Sequence, residues 1–266
     1  MNPFEHNRQS WNELTPLHFN SEFYDVEGFK QGKTSLNHIE LDEIGDVSGK
    51  KLLHLQCHFG MDTLSFARMG AEVTGVDLSD KAIQTAQQLS SELNIPARFI
   101  QSNVYEIEEK LEEKFDIVYT SYGAINWLND LDLWAKIIQR LLEPGGKFYV
   151  VEFHPFIYTL NDDLKLAHNY FKSEQIESSV DISYTDKSET NNKELKHIEW
   201  QHSLSDTMNA LISNGLQIEF LNEFPYSVYN CFPNMKELTP GKFVYNDVED
   251  RIPYLFSIRA EKRLDV

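Results

Sequence analysis

A chain of 266 residues, 41% of them hydrophobic, has the length of one globular domain with an appended segment and can bury a core without disulfides. Its 24 basic and 42 acidic residues leave a formal charge of -18, which repels phosphate backbones and anionic lipid, so neither nucleic acid nor membrane is an expected partner. Only two cysteines occur, Cys57 and Cys231; with no signal-peptide pattern and no run of about 18 apolar residues, the chain reads as a cytoplasmic protein.

The first 45 residues carry Phe4, Trp11, Phe19, Phe23, Tyr24 and Phe29, too many aromatics for a disordered tail, and predict a cap on whatever follows. From about residue 50 apolar strands and helical stretches alternate. "KKLLHLQ" reads as a strand and "MDTLSFARMG" as a helix, followed by the strand "AEVTGVD". "SDKAIQTAQQLSSELN" is a helix with Ser79 as N-cap and Asn94 as its stop. "ARFIQSN" and "FDIVYTS" are strands, "DLDLWAKIIQRLLEPGG" is an amphipathic helix with a Pro-Gly-Gly stop, and "KFYVVEF" is a strand again. Strands apolar on both faces, separated by helices, predict a parallel sheet covered on both sides. Residues 155–202 break the rhythm and read as an inserted segment of turns and edge strands. "SLSDTMNALISNG", "LQIEFLNEF" and "IPYLFSIRAEK" then give a helix and two more strands. The division predicted is a cap over 1–45 and one domain over 46–266, with 155–202 inserted.

In such a sheet a ligand lies beyond the carboxyl ends of the strands. The turn after the first strand is therefore the expected site, yet it reads Gln56-Cys57-His58 and keeps one glycine, Gly60. The G-x-G-x-x-G that lets backbone approach a pyrophosphate is missing, which argues against a nicotinamide dinucleotide and for a cofactor without phosphates. Asp77 ends the second strand, where a carboxylate can accept both hydroxyls of a ribose; the lesser alternative is a cap for the next helix. Asn103 follows the third strand and could read an adenine edge or simply form a turn. His54, Cys57 and His58 are metal-binding residue types, but odd separation beside a strand starts His54 and Cys57 on opposite faces, so no metal is expected.

Order and spacing, with "HLQCHFGMDTLSFA" at the turn, "SYGAINWL" after the fourth strand, "VEFHPF" at the fifth and "EWQHSLSDTMNALISNGLQIEFLNEFPYS" near the end, resemble the class I S-adenosylmethionine-dependent methyltransferases, closest to a bacterial small-molecule subgroup. The resemblance covers roughly 48–153 and 203–261. It implies a Rossmann-like, doubly wound sheet of seven strands with an antiparallel C-terminal strand. It also implies S-adenosylmethionine as cofactor and a small molecule as methyl acceptor. The cofactor-binding positions carried over are His54, Gln56, His58, Gly60, Asp77, Leu78, Asn103, Val104 and Ser121. His54 stands where the family often has an acid, and Gln56 and His58 where it often has glycine. Gln56 can offer donor and acceptor to the methionine end, and His58 can donate to its carboxylate.

Methyl transfer needs an acceptor lone pair held in line with the methyl group, and a base only where the acceptor must lose a proton. Tyr122, Asn126, Trp127 and His154 follow the fourth and fifth strands. His154 is the best base by side-chain chemistry, with Tyr122 beside it, though "EFHPF" could instead be a strand-ending turn. Asn126 and Trp127, with Trp11 and Tyr24 from the N-terminal segment, are the expected acceptor residues. Aromatics in the two extra segments, Trp11, Tyr24, Phe171, Tyr184 and Trp200, suggest a roof over the acceptor or a dimer interface, so monomer and homodimer both stay open. A non-catalytic S-adenosylmethionine-binding sensor or scaffold is the alternative function.

Overall fold

The computed structural model describes residues 2–171, 175–182, 185 and 190–264. Three helices come first: α1 (Pro3–Phe19), α2 (Val26–Lys30) and α3 (His38–Glu43). The alternating part follows as β1 (Lys51–Leu55), α4 (Met61–Arg68), β2 (Glu72–Asp77), α5 (Asp80–Leu93) and β3 (Arg98–Gln101). It continues with β4 (Phe115–Thr120), α6 (Leu131–Leu141) and β5 (Leu142–Phe153). An antiparallel hairpin, β6 (Ile176–Ile182) and β7 (Thr190–Glu199), precedes α7 (Leu204–Ser213) and β8 (Leu216–Phe224). A second small ribbon, β9 (Met235–Thr239) with β10 (Lys242–Tyr245), leads to the last strand, β11 (Leu255–Lys262).

Seven strands form one sheet in the order β3-β2-β1-β4-β5-β11-β8. The pairs from β3 to β5 are parallel, and β11 runs antiparallel to both β5 and β8. The expected fold is therefore the observed one. The order reverses between β1 and β4, so the chain leaves these neighbouring strands toward opposite faces and opens a crevice beyond their carboxyl ends.

The alternation of a two-residue repeat explains why these strands read as apolar throughout. Leu52 and Leu53 point to opposite faces, and both are fully buried. Leu53, Val118 and Phe148 pack one face beneath Trp134, while Leu52, Ile117 and Tyr149 pack the other. A leucine buried in this way stabilises the fold by about 1.5–3 kcal/mol.

Helix ends follow local chemistry. Ser79 Oγ accepts from the Ala82 N–H, and Asn94 closes α5 in the left-handed conformation at φ 53°. Ser203 and Asp206 form a reciprocal capping box on α7. One boundary differs from expectation. α6 ends at Leu141, and Leu142 is already extended and paired with Phe115, so the Pro-Gly-Gly lies in the strand rather than closing the helix. Pairing with β4 outweighs the helical spacing there.

α1 is fastened on two sides. Arg8 and Asn12 reach Asp80 at the start of α5, the amide of Asn12 at 2.8 Å. Asn7 Nδ2 donates to the Ile198 carbonyl at 2.7 Å, and the Ile198 N–H donates to Asn7 Oδ1 at 2.9 Å, so one side chain takes the place of a neighbouring strand for β7. Among the described residues no helix is long and apolar enough to cross a membrane.

Candidate active site

The turn after β1 holds three left-handed residues in five: Gln56 at φ 57°, His58 at φ 50° and Gly60 at φ 77°. Each non-glycine case costs about 1–2 kcal/mol, so the surroundings must hold it. They do so with hydrogen bonds from the Cys57 N–H to the Val76 carbonyl and from the His58 N–H to Asp77 Oδ2, at 2.9 and 2.8 Å. Gly60 is the position where glycine is obligatory. A Cβ there would lie 2.6 Å from the Phe99 ring and 3.0 Å from Ala86. The turn thus keeps its glycine where contact forbids a side chain and spends the other positions on Gln56 and His58.

Asp77 serves the turn and the next helix together. Oδ2 accepts from His58, and Oδ1 accepts from the Ser79 N–H at 2.8 Å. Burial raises its carboxyl to about 6 against these backbone donors. Gln56 Nε2 donates to the Ala124 carbonyl at 2.7 Å, tying the turn to the loop after β4, while Oε1 is buried without a hydrogen-bond partner among the described residues. His54 lies in the strand between Thr63 Oγ1 at 2.9 Å and Ser121 Oγ at 3.2 Å, and burial holds its imidazole neutral, down to about 3. Asn103 accepts from the Tyr105 N–H at 3.1 Å and caps a short 3-10 turn. The turn-forming reading of Asn103 is thereby seen, and the residue also faces the cavity.

A cavity of about 530 Å³ lies at the carboxyl ends of the strands. The structure brings to it His54, Gln56, His58, Gly60, Asp77, Leu78, Asn103, Val104 and Ser121, together with Tyr122, Asn126, Trp127, Trp11 and Tyr24. His154, the expected base, is the exception. It does not line the cavity; Nδ1 accepts from the Phe156 N–H at 3.1 Å, and Nε2 lies 3.0 Å from Glu223 Oε1. The strand-ending turn of "EFHPF" uses this side chain locally. Of the suggested roof aromatics, Phe171 is exposed, Trp200 is buried against Phe4 without lining the cavity, and Tyr184 lies outside the described residues.

Four site residues were not expected. His18, fully buried at the end of α1, places Nδ1 3.1 Å from Nε2 of His58. Burial, helped by the nearby His197, pushes His18 down to about 3, and burial with His18 pushes His58 well down, so the pair is neutral. Glu40 on α3 is buried and accepts from the Tyr122 hydroxyl at 2.7 Å; burial first, and the Asp62 charge second, raise it to about 7. Asp62 faces the cavity, accepts from Ser35 Oγ at 2.6 Å, and is raised by burial to about 6. Glu152 gathers the N–H groups of Gly123, Ala124, Ile125 and Phe153 at 2.5 to 3.1 Å, which fixes the loop carrying Asn126 and Trp127. Asp62 has a sequence signal, an acid in the first turn of a helix, but one that reads as helix chemistry alone.

His54 is directed to Thr63 and Ser121 and His58 to His18, and burial keeps the Cys57 thiol well above its usual range.

Residues 46–210 match a family described as a methyltransferase domain. The chain belongs to this methyltransferase family. Among curated proteins it is 32% identical over 149 residues to a protein of Photorhabdus laumondii named ubiquinone biosynthesis O-methyltransferase, covering 54% of this chain and 59% of that one. A protein of the same name from Proteus mirabilis is 30% identical over 149 residues, covering 54% and 58%. The chain therefore matches less than two thirds of the length of these relatives. Among solved structures, an S-adenosylmethionine-dependent methyltransferase from Clostridium acetobutylicum aligns over 97% of this chain and 99% of that one at TM-score 0.58 and 14% identity. The glycopeptide N-methyltransferase MtfA, solved with S-adenosylmethionine, aligns over 85% and 92% at TM-score 0.55 and 14% identity. At such identities the likeness of the methyltransferase domain is one of fold.

Proposed function

We propose that this chain binds S-adenosylmethionine at the ends of β1 to β4 and transfers its methyl group to a small molecule with an apolar or aromatic body. The observation that carries this reading is the buried, unpartnered Oε1 of Gln56 in the same cavity wall as Asp77. A buried amide oxygen without a donor costs about 1–3 kcal/mol, and the ammonium of the methionine end is a donor of the right kind. Asp77 keeps lone pairs beyond those used by His58 and Ser79 and would hold the ribose hydroxyls. Leu78, Val104 and Asn103 would flank the adenine, and His58 would donate to the carboxylate. The bound cofactor supplies an electrophilic methyl group on a sulfonium.

The chain's own work is to orient and to exclude water. Glu152 fixes the loop that carries Asn126 and Trp127, and Glu40 orients the Tyr122 hydroxyl. Residues 1–45 and the inserted 155–202 would form the roof, joined through Asn7 and Ile198. The acidic charge and two free cysteines support a cytoplasmic protein that leaves nucleic acid alone.

Turnover of methyl-labelled S-adenosylmethionine against a panel of small arenes and amines tests the reading. Labelled product from at least one acceptor is the expected result. Binding of S-adenosylhomocysteine with no transfer to any acceptor would leave a binding protein, and a response to NAD alone would overturn the cofactor.

A further inference from the structure

The acceptor side of the cavity has a chemistry of its own. Six rings that line it form a row of successive contacts: Phe23, Tyr229, Tyr122, Phe153, Phe232 and Tyr158, with centroids 5.0 to 6.4 Å apart. Among the described lining residues there is no lysine or arginine, while four are carboxylates: Asp25, Asp62, Asp77 and Glu199. Asp25 is paired with Lys33 at 2.6 Å. Asp77 has its two backbone donors, and Asp62 has the Ser35 hydroxyl. Among the described residues Glu199, at the end of β7, has the Ser178 hydroxyl at 3.2 Å as its one side-chain hydrogen bond and no lysine or arginine paired with it. A half-buried carboxylate in an aromatic pocket without a cation calls for one.

We propose, building on the methyltransferase reading, that the acceptor is an amine: a cation in solution, carried on an aromatic or apolar body, held by the ring row and paired with Glu199. A cofactor bound as proposed would leave Glu199 without a cation, because its ammonium would lie at the turn, on Gln56. Glu199 and the Tyr158 phenol are close enough that burial together with the Glu152 and Glu199 charges holds that phenol far above its ordinary value. Burial also raises Glu199, so the carboxylate is poised to take a proton. Faces of Tyr and Phe rings attract an ammonium and give nothing comparable to an anion. A protonated amine has no free lone pair. On giving one proton to Glu199 the nitrogen offers its lone pair to the methyl carbon. The N–C bond forms as the C–S bond breaks with its electrons left on sulfur, and the product is again an ammonium.

Three matched probes test this at pH 7 by titration calorimetry with S-adenosylhomocysteine saturating: 2-phenylethylamine, 2-phenylethanol and phenylacetate. The amine is expected to bind at least tenfold tighter than the alcohol, and phenylacetate not at all. In Glu199→Gln, which keeps an acceptor for Ser178, the amine should fall to the affinity of the alcohol, while the alcohol is unchanged. Equal affinity of amine and alcohol, binding of phenylacetate, no binding of any probe, or an amine preference that survives Glu199→Gln would each overturn the proposal. If S-adenosylhomocysteine itself fails to bind, the cofactor reading falls. The same three probes on the chain alone then decide the acceptor inference separately.

Discussion

The floor and the roof of the cavity are made in different ways. The floor is the set of strand ends: Gln56, His58, Asp77, Asn103 and Ser121 are each delivered by a buried parallel strand or the turn after it. Backbone hydrogen bonds hold that floor, such as the one from the Cys57 N–H to the Val76 carbonyl. The proposed roof draws on residues 1–45, the β6–β7 hairpin and the aromatic residues after β8, which among the described residues meet through side chains that reach across long stretches of sequence. Asn7 with Ile198 spans 191 residues of sequence, and Asn37 with Tyr229 spans 192. A floor of this kind specifies a ligand class, because the sheet fixes where each group stands. A roof of this kind can change its acceptor by changing side chains while the sheet is untouched.

The largest effect should come from the floor. Asp77→Ala removes the proposed acceptor of two ligand hydroxyls and the anchor of the left-handed His58. Each hydrogen bond to a charged group is worth about 1.5–3 kcal/mol, so affinity for S-adenosylhomocysteine should drop a hundredfold or more. Calorimetry on a variant with wild-type circular dichroism checks it, and unchanged affinity would break the assignment of the floor.

The roof predicts a different signature. Asn7→Ala leaves the Ile198 N–H and carbonyl without their partner, and should lower stability by about 2–4 kcal/mol in urea melts. Because the floor does not depend on it, S-adenosylhomocysteine affinity should change less than threefold. A loss as large as that of Asp77→Ala would mean that floor and roof are one unit.

A smaller effect separates the two by pH. The Asp62 carboxyl is raised to about 6 in the folded protein, from an ordinary value of 3.8. A raised folded value means that the native state binds the proton more tightly. Its stability contribution is fully present below the ordinary value and is lost as pH rises through 6. Asp62→Asn removes that loss. Relative to wild type, the variant should gain roughly 2 kcal/mol between pH 4 and pH 7, since each unit is about 1.4 kcal/mol and cavity water screens part of it. Thermal melts across this range check the sign; a gain toward acid pH would contradict it.

Much of the floor is legible in the sequence. Apolar runs of five to six residues, split by capped helices, leave little choice but a doubly covered sheet, and strand ends then name the candidate residues. Even Gly60 can be picked out, though not its reason, which is the approach of Phe99. The roof is not legible in the same way. His18 matters because it meets His58, 40 residues on, and Glu40 because it meets Tyr122, 82 residues on. No local pattern announces such pairs. His154 shows the converse error. Its chemistry suits a base, but a turn two residues long claims Nδ1 through the Phe156 N–H, and Glu223 faces the other nitrogen. Side-chain chemistry nominated it, and backbone direction ruled on it.

In the reading proposed for the floor, the glycine-poor turn and Asp77 together hold S-adenosylmethionine. The most direct measurement is an experimental structure of the chain with S-adenosylhomocysteine bound. Both ribose hydroxyls should lie within about 3.2 Å of the Asp77 carboxylate, with the ligand's ammonium on Gln56 Oε1. A ligand bound elsewhere, or one in the cavity with its ribose away from Asp77, would contradict it.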